Sequence, residues 1–257
     1  AHGAKEIDKA YDAARAVGFD QINIDLIAGM INETQENWER CVRETIQRSP
    51  ESVTIYQMEI PFNTTIYKEM KAAGKVTAPV ADWKTKRQWV DYAFTQLEQA
   101  GYTVTSAYTA VRDPQRTKFV YRDSLWSGAD LIGLGVASFS TIGGTHFQNH
   151  HDIDAYNTAL ASGSLPVYRA LTMTPQERLI RELVLQLKLG SVRTDYFERR
   201  HGVDIVKQFA QPIAALQGAG LMHVEPGRLR LTRHALLQVD RLLHEFFLPE
   251  HSTARYA

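Results

Sequence analysis

Gln21-Ile22-Asn23-Ile24-Asp25-Leu26-Ile27 is the stretch that decides the fold. Apolar and polar residues alternate through it, the period of an extended strand whose successive side chains face opposite ways. Ile22, Ile24 and Leu26 share one face; Asn23 and Asp25 share the other. Upstream, Ile7, Ala10, Tyr11, Ala14 and Val17 recur at helical spacing, and Gly18 stands where a helix end favours glycine. Downstream, Trp38, Cys41, Val42, Thr45 and Ile46 make a second helix pattern, and Ser49-Pro50 leads to a strand over residues 53–58. Helix, strand, helix, strand with short connections predicts a parallel α/β sheet. The order starts on a helix, as though an earlier strand were missing and the chain had been cut from something longer.

Farther along, Trp83, Val90, Phe94 and Leu97 predict a helix stopped by Gly101, and residues 102–110 are rich in strand formers. A polar stretch, residues 112–123, precedes the glycine-containing segment at residues 130–140. The character changes after about Gly163. Thr174-Pro175-Gln176-Glu177 is a capping box with proline at the first helical position, continued by Leu179, Ile180, Leu183, Val184 and Leu187. Short helix patterns over residues 194–200 and 204–217 follow. A hairpin over residues 221–231 turns at Pro226-Gly227, and a last helix carries Leu236, Val239, Leu243 and Phe246. Helices, hairpin and closing helix predict a winged-helix-like arrangement. Residues 1–164 carry 16 basic and 20 acidic side chains, whereas residues 165–257 carry 13 and 9. The shift places a domain boundary at 164/165.

Composition narrows the function classes. The 257 residues are 44% hydrophobic and carry 29 basic and 29 acidic side chains. That is enough apolar material for a core, and the charge balance argues against attraction to nucleic acid or phospholipid. One cysteine closes no internal disulfide and supplies no thiolate cage, which predicts a reducing, cytoplasmic setting. The apolar runs are a few residues long, far short of the roughly 20 that span a bilayer, and no secretory leader is recognisable.

Several groups are candidates for chemistry. Asn23 and Asp25, facing the same way on a strand of a parallel sheet, need partners, because an unpaired buried carboxylate is costly. Asp25 either caps the next element or faces a site mouth at the strand ends, where Glu59 repeats the placement. Gly133-Leu134-Gly135-Val136-Ala137-Ser138 has serine where a dinucleotide fingerprint has its third glycine, so its glycines read better as points of close backbone approach. His146, His150, His151 and Asp152 are dense in ligand types but lack three or four convergent donors, so they read as a polar loop with no metal. Arg112, Arg116, Lys118 and Arg122 lie within eleven positions, beside Phe119 and Tyr121. They form either a solvated loop or a clamp for carboxylates or phosphates. Cys41 falls on the apolar stripe of its helix and reads as a packing residue.

Three motifs in order carry a resemblance: Asn23-Ile24-Asp25-Leu26-Ile27-Ala28-Gly29, then Ile55-Tyr56-Gln57-Met58-Glu59-Ile60-Pro61, then Gly133-Leu134-Gly135-Val136-Ala137-Ser138-Phe139-Ser140. Together they resemble the oxygen-independent coproporphyrinogen III oxidases, which are radical S-adenosylmethionine (radical SAM) enzymes. The resemblance implies the C-terminal part of an incomplete (β/α)6 barrel over residues 1–164. A small helical, winged-helix-like domain over residues 165–257 follows. It implies S-adenosylmethionine, contacted by Asp25, Met58 and Phe139, and a [4Fe-4S] cluster. The family's cluster motif, CxxxCxxC, is absent here, so its ligands are expected on a preceding barrel segment and the chain as given is expected to be inactive.

The implied reaction is oxidative decarboxylation of coproporphyrinogen III propionates to vinyl groups. Arg112, Arg116, Lys118 or Arg122 is expected to bind the carboxylates of the tetrapyrrole. Two departures leave the substrate open: Gly29-Met30 is followed by Ile31 where many relatives have proline, and Tyr121-Arg122-Asp123-Ser124-Leu125-Trp126 lacks a His-Asn pair common in them. The alternatives are a haem chaperone, a radical SAM methyltransferase, or a small binding module.

Overall fold

A computed structural model describes residues 3–60, 68, 72 and 81–251. Pro61, the last residue of the second motif, lies outside them. The described residues divide into two compact units, one within residues 3–118 and the other within residues 119–251.

In the first unit, helix α1 (Ala4–Val17) starts where Glu6 Oε2 accepts from the Gly3 amide at 2.8 Å, and it ends on Gly18 at φ 89°. Strand β1 (Asn23–Ala28) pairs in parallel with β2 (Ser52–Gln57), Asn23 opposite Ser52 and Asp25 opposite Thr54. Helix α2 (Gln35–Arg48), capped by Thr34, connects them. Helix α3 (Trp83–Gln99) is capped by Asp82, whose carboxylate accepts from the Thr85 amide at 2.7 Å. The expected alternation of helix and parallel strand holds to this point.

The region over residues 102–110 differs. It forms two short strands, β3 (Thr103–Val104) and β4 (Thr109–Val111), because the chain folds back where Thr105 and Ser106 donate to the Thr109 carbonyl. The returning β4 therefore lies antiparallel beside β2, and the sheet order is β1-β2-β4-β3. Its apolar face carries Val53, Ile55 and Ala110 against Trp38, Val42, Trp89, Val90, Phe94 and Leu97, all buried. Trp38 fixes the contact of α2 with α3: its indole N–H donates to the Trp89 carbonyl at 2.8 Å and the two rings stack. No residue of α1 is buried. Polar contacts tie it down, with the Tyr11 hydroxyl donating to the Arg48 carbonyl at 2.6 Å and Arg15 pairing with Glu51.

The second unit begins with α4 (Val120–Trp126) and an antiparallel sheet of order β5-β6-β7 (Phe139–Ile142, Thr145–Asn149, Val167–Thr172). Gly143 and Gly144 turn the β5–β6 hairpin at φ 56° and 84°, a conformation that glycine adopts without strain. Helix α5 (Ile153–Ala161) connects β6 to β7. Helix α6 (Pro175–Leu187) has the expected capping box. Strand β8 (Ser191–Arg193), helices α7 (Thr194–His201), α8 (Ile205–Gln208) and α9 (Ala210–Gly218), and the hairpin β9 (Met222–Glu225) to β10 (Arg228–Leu231) complete a winged-helix-like body with sheet order β8-β10-β9. Leu179, Leu183, Leu187, Phe197, Ile205, Leu229 and Leu243 form its core.

The single closing helix expected from the sequence is broken into α10 (Arg233–Leu236), α11 (Val239–Leu242) and a 3-10 turn at Leu243–Phe246, since Gln238 leaves helical geometry at φ −133°. The packing division at 118/119 also differs from the 164/165 boundary, which rests on charge and helix pattern. Pairing of β6 with β7 ties residues 145–149 to the tail.

Candidate functional site

The parallel pair β1–β2 builds one polar face. Asn23 Oδ1 accepts from Ser52 Oγ at 2.9 Å and Thr54 Oγ1 at 3.0 Å, while its Nδ2 donates to Asp25 Oδ1 at 2.6 Å. The Asn23 amide is thereby fully oriented, and it holds one oxygen of the exposed Asp25 carboxylate. The second oxygen makes no hydrogen bond among the described residues. Tyr56 continues the face and stacks on Tyr108 with ring centroids 6.5 Å apart. Burial raises the Tyr56 pKa above its ordinary value, and the Asp25 charge adds to that. An acceptor carboxylate held by an amide and flanked by aromatic rings suits a ligand with donor groups and a flat part.

At the C-terminal ends of the same two strands the backbone is pinned. The Met58 amide donates to the Ala28 carbonyl at 2.8 Å, and the Met58 carbonyl accepts from Lys86 Nζ at 2.7 Å. Lys86 is buried, and burial lowers its pKa, opposed by the charges of Glu59 and Asp82. Glu33 Oε2 accepts from the amides of Gly29 and Met30 at 2.7 and 3.1 Å, closing the loop after β1. Burial raises the Glu33 pKa and the two amides pull it back. Met58 is half-buried and Glu59 exposed. Sequence reading missed Lys86 and Glu33. Glu33 left a signal in its position four residues after Gly29, while Lys86 is masked by its place in a charged helix turn.

In the second unit, the glycines of residues 133–135 do allow close approach. A Cβ at Gly133 would stand 2.3 Å from the Phe139 carbonyl oxygen, and Asn149 Nδ2 donates to the carbonyls of Gly133 and Gly135. Strand β5 follows, not a helix, so the dinucleotide geometry is absent. Phe139 is 45% exposed and stacks on His146 at 5.3 Å with the planes 2° apart. Burial lowers the His146 pKa, and the charges of Arg181 and Arg169 act the same way. His150 and His151 meet the Tyr168 ring, and Asp152 caps α5 by accepting from the Ala155 amide. Among the described residues no three His, Cys, Asp or Glu side chains are grouped to hold a metal ion.

The basic stretch is largely engaged locally. Arg112 donates to Glu51 Oε1 at 2.8 Å and to Ser49 Oγ at 2.6 Å. Lys118 donates to the Pro114 carbonyl at 2.6 Å. Arg122 pairs with Asp123 and lies over the rings of Phe119 and Trp126. The exposed Arg116 side chain has no ion pair or hydrogen bond among the described residues. Cys41 is half-buried on α2, and burial raises its thiol pKa. A single, protonated thiol does not fit an iron–sulfur cluster, which needs several thiolates.

A parallel strand pair with one polar face and a winged-helix-like unit give this chain an α/β fold shared with the C-terminal part of a larger solved enzyme. The chain superposes with TM-score 0.76 on the solved structure of coproporphyrinogen III oxidase (HemN) from Escherichia coli, a radical SAM enzyme, at 19% identity over 96% of this chain and 59% of that one. Residues 173–237 match the model of the HemN C-terminal domain. The chain is also similar to oxygen-independent coproporphyrinogen III oxidases of Helicobacter pylori (23% identical, 93% of this chain, 55% of the relative) and Pseudomonas aeruginosa (24%, 96% and 56%). It is 22% identical to heme chaperone HemW of Bacillus subtilis, over 95% of this chain and 64% of that protein. The chain thus resembles these oxidases over nearly its whole length and spans little more than half of theirs. No helix of the described residues is long and apolar enough to cross a membrane.

Proposed function

We propose that this chain is the C-terminal part of a cytoplasmic radical SAM oxidoreductase that converts propionate side chains of coproporphyrinogen III to vinyl groups. The polar β1–β2 face carries this reading, because a sheet covered by helices on both sides would be apolar on both. Asp25 accepts hydrogen bonds from donor groups of S-adenosylmethionine, and Met58 packs against it. When bound with a reduced cluster, that cofactor supplies a carbon radical for hydrogen abstraction. The cluster ligands belong to a preceding barrel segment, because this chain has one cysteine. The barrel and tail domains meet at 164/165 in this reading, and the exposed Arg116 is the foremost of the four basic residues for a substrate carboxylate.

The test uses the full-length protein that contains this chain. Asp25→Asn is expected to weaken S-adenosylmethionine binding about tenfold, one lost charge-assisted hydrogen bond, with the thermal midpoint unchanged. Unchanged affinity would remove the assignment. Product analysis separates the readings of the reaction: vinyl products and carbon dioxide support the oxidase, stoichiometric haem without turnover the chaperone, and S-adenosylhomocysteine a methyltransferase. The 257-residue chain alone is expected not to cleave S-adenosylmethionine; cleavage after reconstitution with iron and sulfide would refute that.

A further inference from the structure

A cavity of about 360 Å³ opens in the second unit between the β5–β6 turn, α6 and the end of α7. Glu182, 5% exposed, lines it and is fully used: Arg200 Nε reaches its two oxygens at 3.1 and 2.9 Å, the Tyr196 hydroxyl donates at 2.8 Å, and His201 Nε2 lies at 3.1 Å. Asp130, also in the lining, accepts from the Gly143 amide at 3.1 Å. Two more arginines line the same cavity one helical turn apart, Arg178 and Arg181. Neither makes a hydrogen bond or ion pair among the described residues. Arg181 is half-buried, and burial lowers its pKa.

Glu182 offsets part of that burial by its charge, but its oxygens are already hydrogen-bonded to Arg200 and Tyr196, so the Arg181 guanidinium is partly desolvated without a hydrogen-bonded counter-ion among the described residues. The wall opposite is glycine: a Cβ at Gly144 would stand 3.0 Å from Arg178 Cδ and 3.1 Å from Nη1, so the bare turn lets that side chain lie against it. We propose that this cavity binds a small oxyanion, a carboxylate or phosphoryl group, between the Arg178 and Arg181 guanidiniums. Two guanidiniums three residues apart on one helix line the same cavity, and their planar forks of N–H donors suit such oxygens. The volume is at the lower end of the range for small-molecule sites, about 300–1,000 Å³. The site does not depend on the S-adenosylmethionine assignment, which concerns other residues.

The test is calorimetric titration of the full chain at low salt with inorganic phosphate and, separately, with succinate. One site per chain is expected for at least one of them, and the one that binds identifies the oxyanion class. Arg181→Gln and Arg178→Gln are each expected to weaken binding at least tenfold, whereas Lys84→Gln, an exposed cation elsewhere, leaves it intact. Arg181 makes no hydrogen bond or ion pair among the described residues, so Arg181→Gln is expected to fold; should it fail to fold, the exposed Arg178→Gln carries the test. Absence of saturable binding by either anion, or equal binding by wild type and the arginine variants, overturns the proposal.

Discussion

The Lys86 ammonium donates to the Met58 carbonyl at 2.7 Å while its stem fills the space beside Gly29, where a Cβ would stand 2.6 Å from both Cγ and Cδ. One buried cation thus locks the loop after β1 to the end of β2, with its ammonium 3.7 Å from the centroid of the Trp83 ring.

Gly29→Ala is expected to destabilise the fold by about 1–3 kcal/mol, since it adds a steric conflict to a left-handed backbone at φ 90°. Gly18→Ala makes the control, because its φ is 89° but nothing lies within 4 Å of its Cβ position. Urea midpoints should fall farther for Gly29→Ala; equal losses would mean that the contact with Lys86 does not matter.

Lys86→Met keeps most of the stem and removes the donor, leaving the Met58 carbonyl without its ammonium partner. A loss of about 1–3 kcal/mol is expected from the stranded acceptor. Denaturant unfolding measures it, and a neutral outcome would show that water or another group replaces the ammonium.

The buried hydroxyl of Tyr196 predicts an alkaline effect. Burial first, then its hydrogen bond to the Glu182 carboxylate, pushes its pKa up to about 12 from 10.0. The folded state holds this proton more tightly than the unfolded chain does. Its contribution to stability is therefore complete below pH 10 and is lost as pH rises toward 12. Tyr196→Phe should flatten that part of the stability curve; an unaltered alkaline limb would contradict the assignment.

His146 predicts the acid limb. Burial, with Arg181 and Arg169 acting in the same sense, holds its pKa below 6.5. The unfolded chain then takes up the proton first, so stability falls as pH drops below 6.5 toward the folded value. Proton NMR should show His146 titrating below the ordinary range and moving upward in Arg181→Gln. A shift in the opposite direction would mean that Arg181 does not act on the ring.

Local signals were legible where local physics decides. Gly18 as a helix stop, the Thr174 capping box, the Pro226-Gly227 hairpin and the close approach at Gly133 each follow from backbone or side-chain rules spanning a few residues. The fold-back at Ser106 was not legible, because strand propensity over residues 102–110 is the same for one strand as for two. At the candidate site, alternation put Asn23 and Asp25 on one face, but their partners Ser52 and Thr54 emerge only from the strand register. Arg112 looked available because its partner, Glu51, is 61 residues away in the chain. Lys86 looked solvated because helical periodicity does not reveal which lysine turns inward. The cavity at Arg181 needed three elements from distant parts of the chain to be seen together.

Among the described residues strand β1 is outermost in its sheet, paired to β2 along one side only. An outermost strand offers unpaired amides and carbonyls as a template for another extended segment. Self-association through that edge would bind the folded form and would make the melting temperature of this chain a function of its concentration. Thermal scans over a dilution series therefore belong with every stability comparison drawn above, and a midpoint compared across variants has meaning only at matched protein concentration.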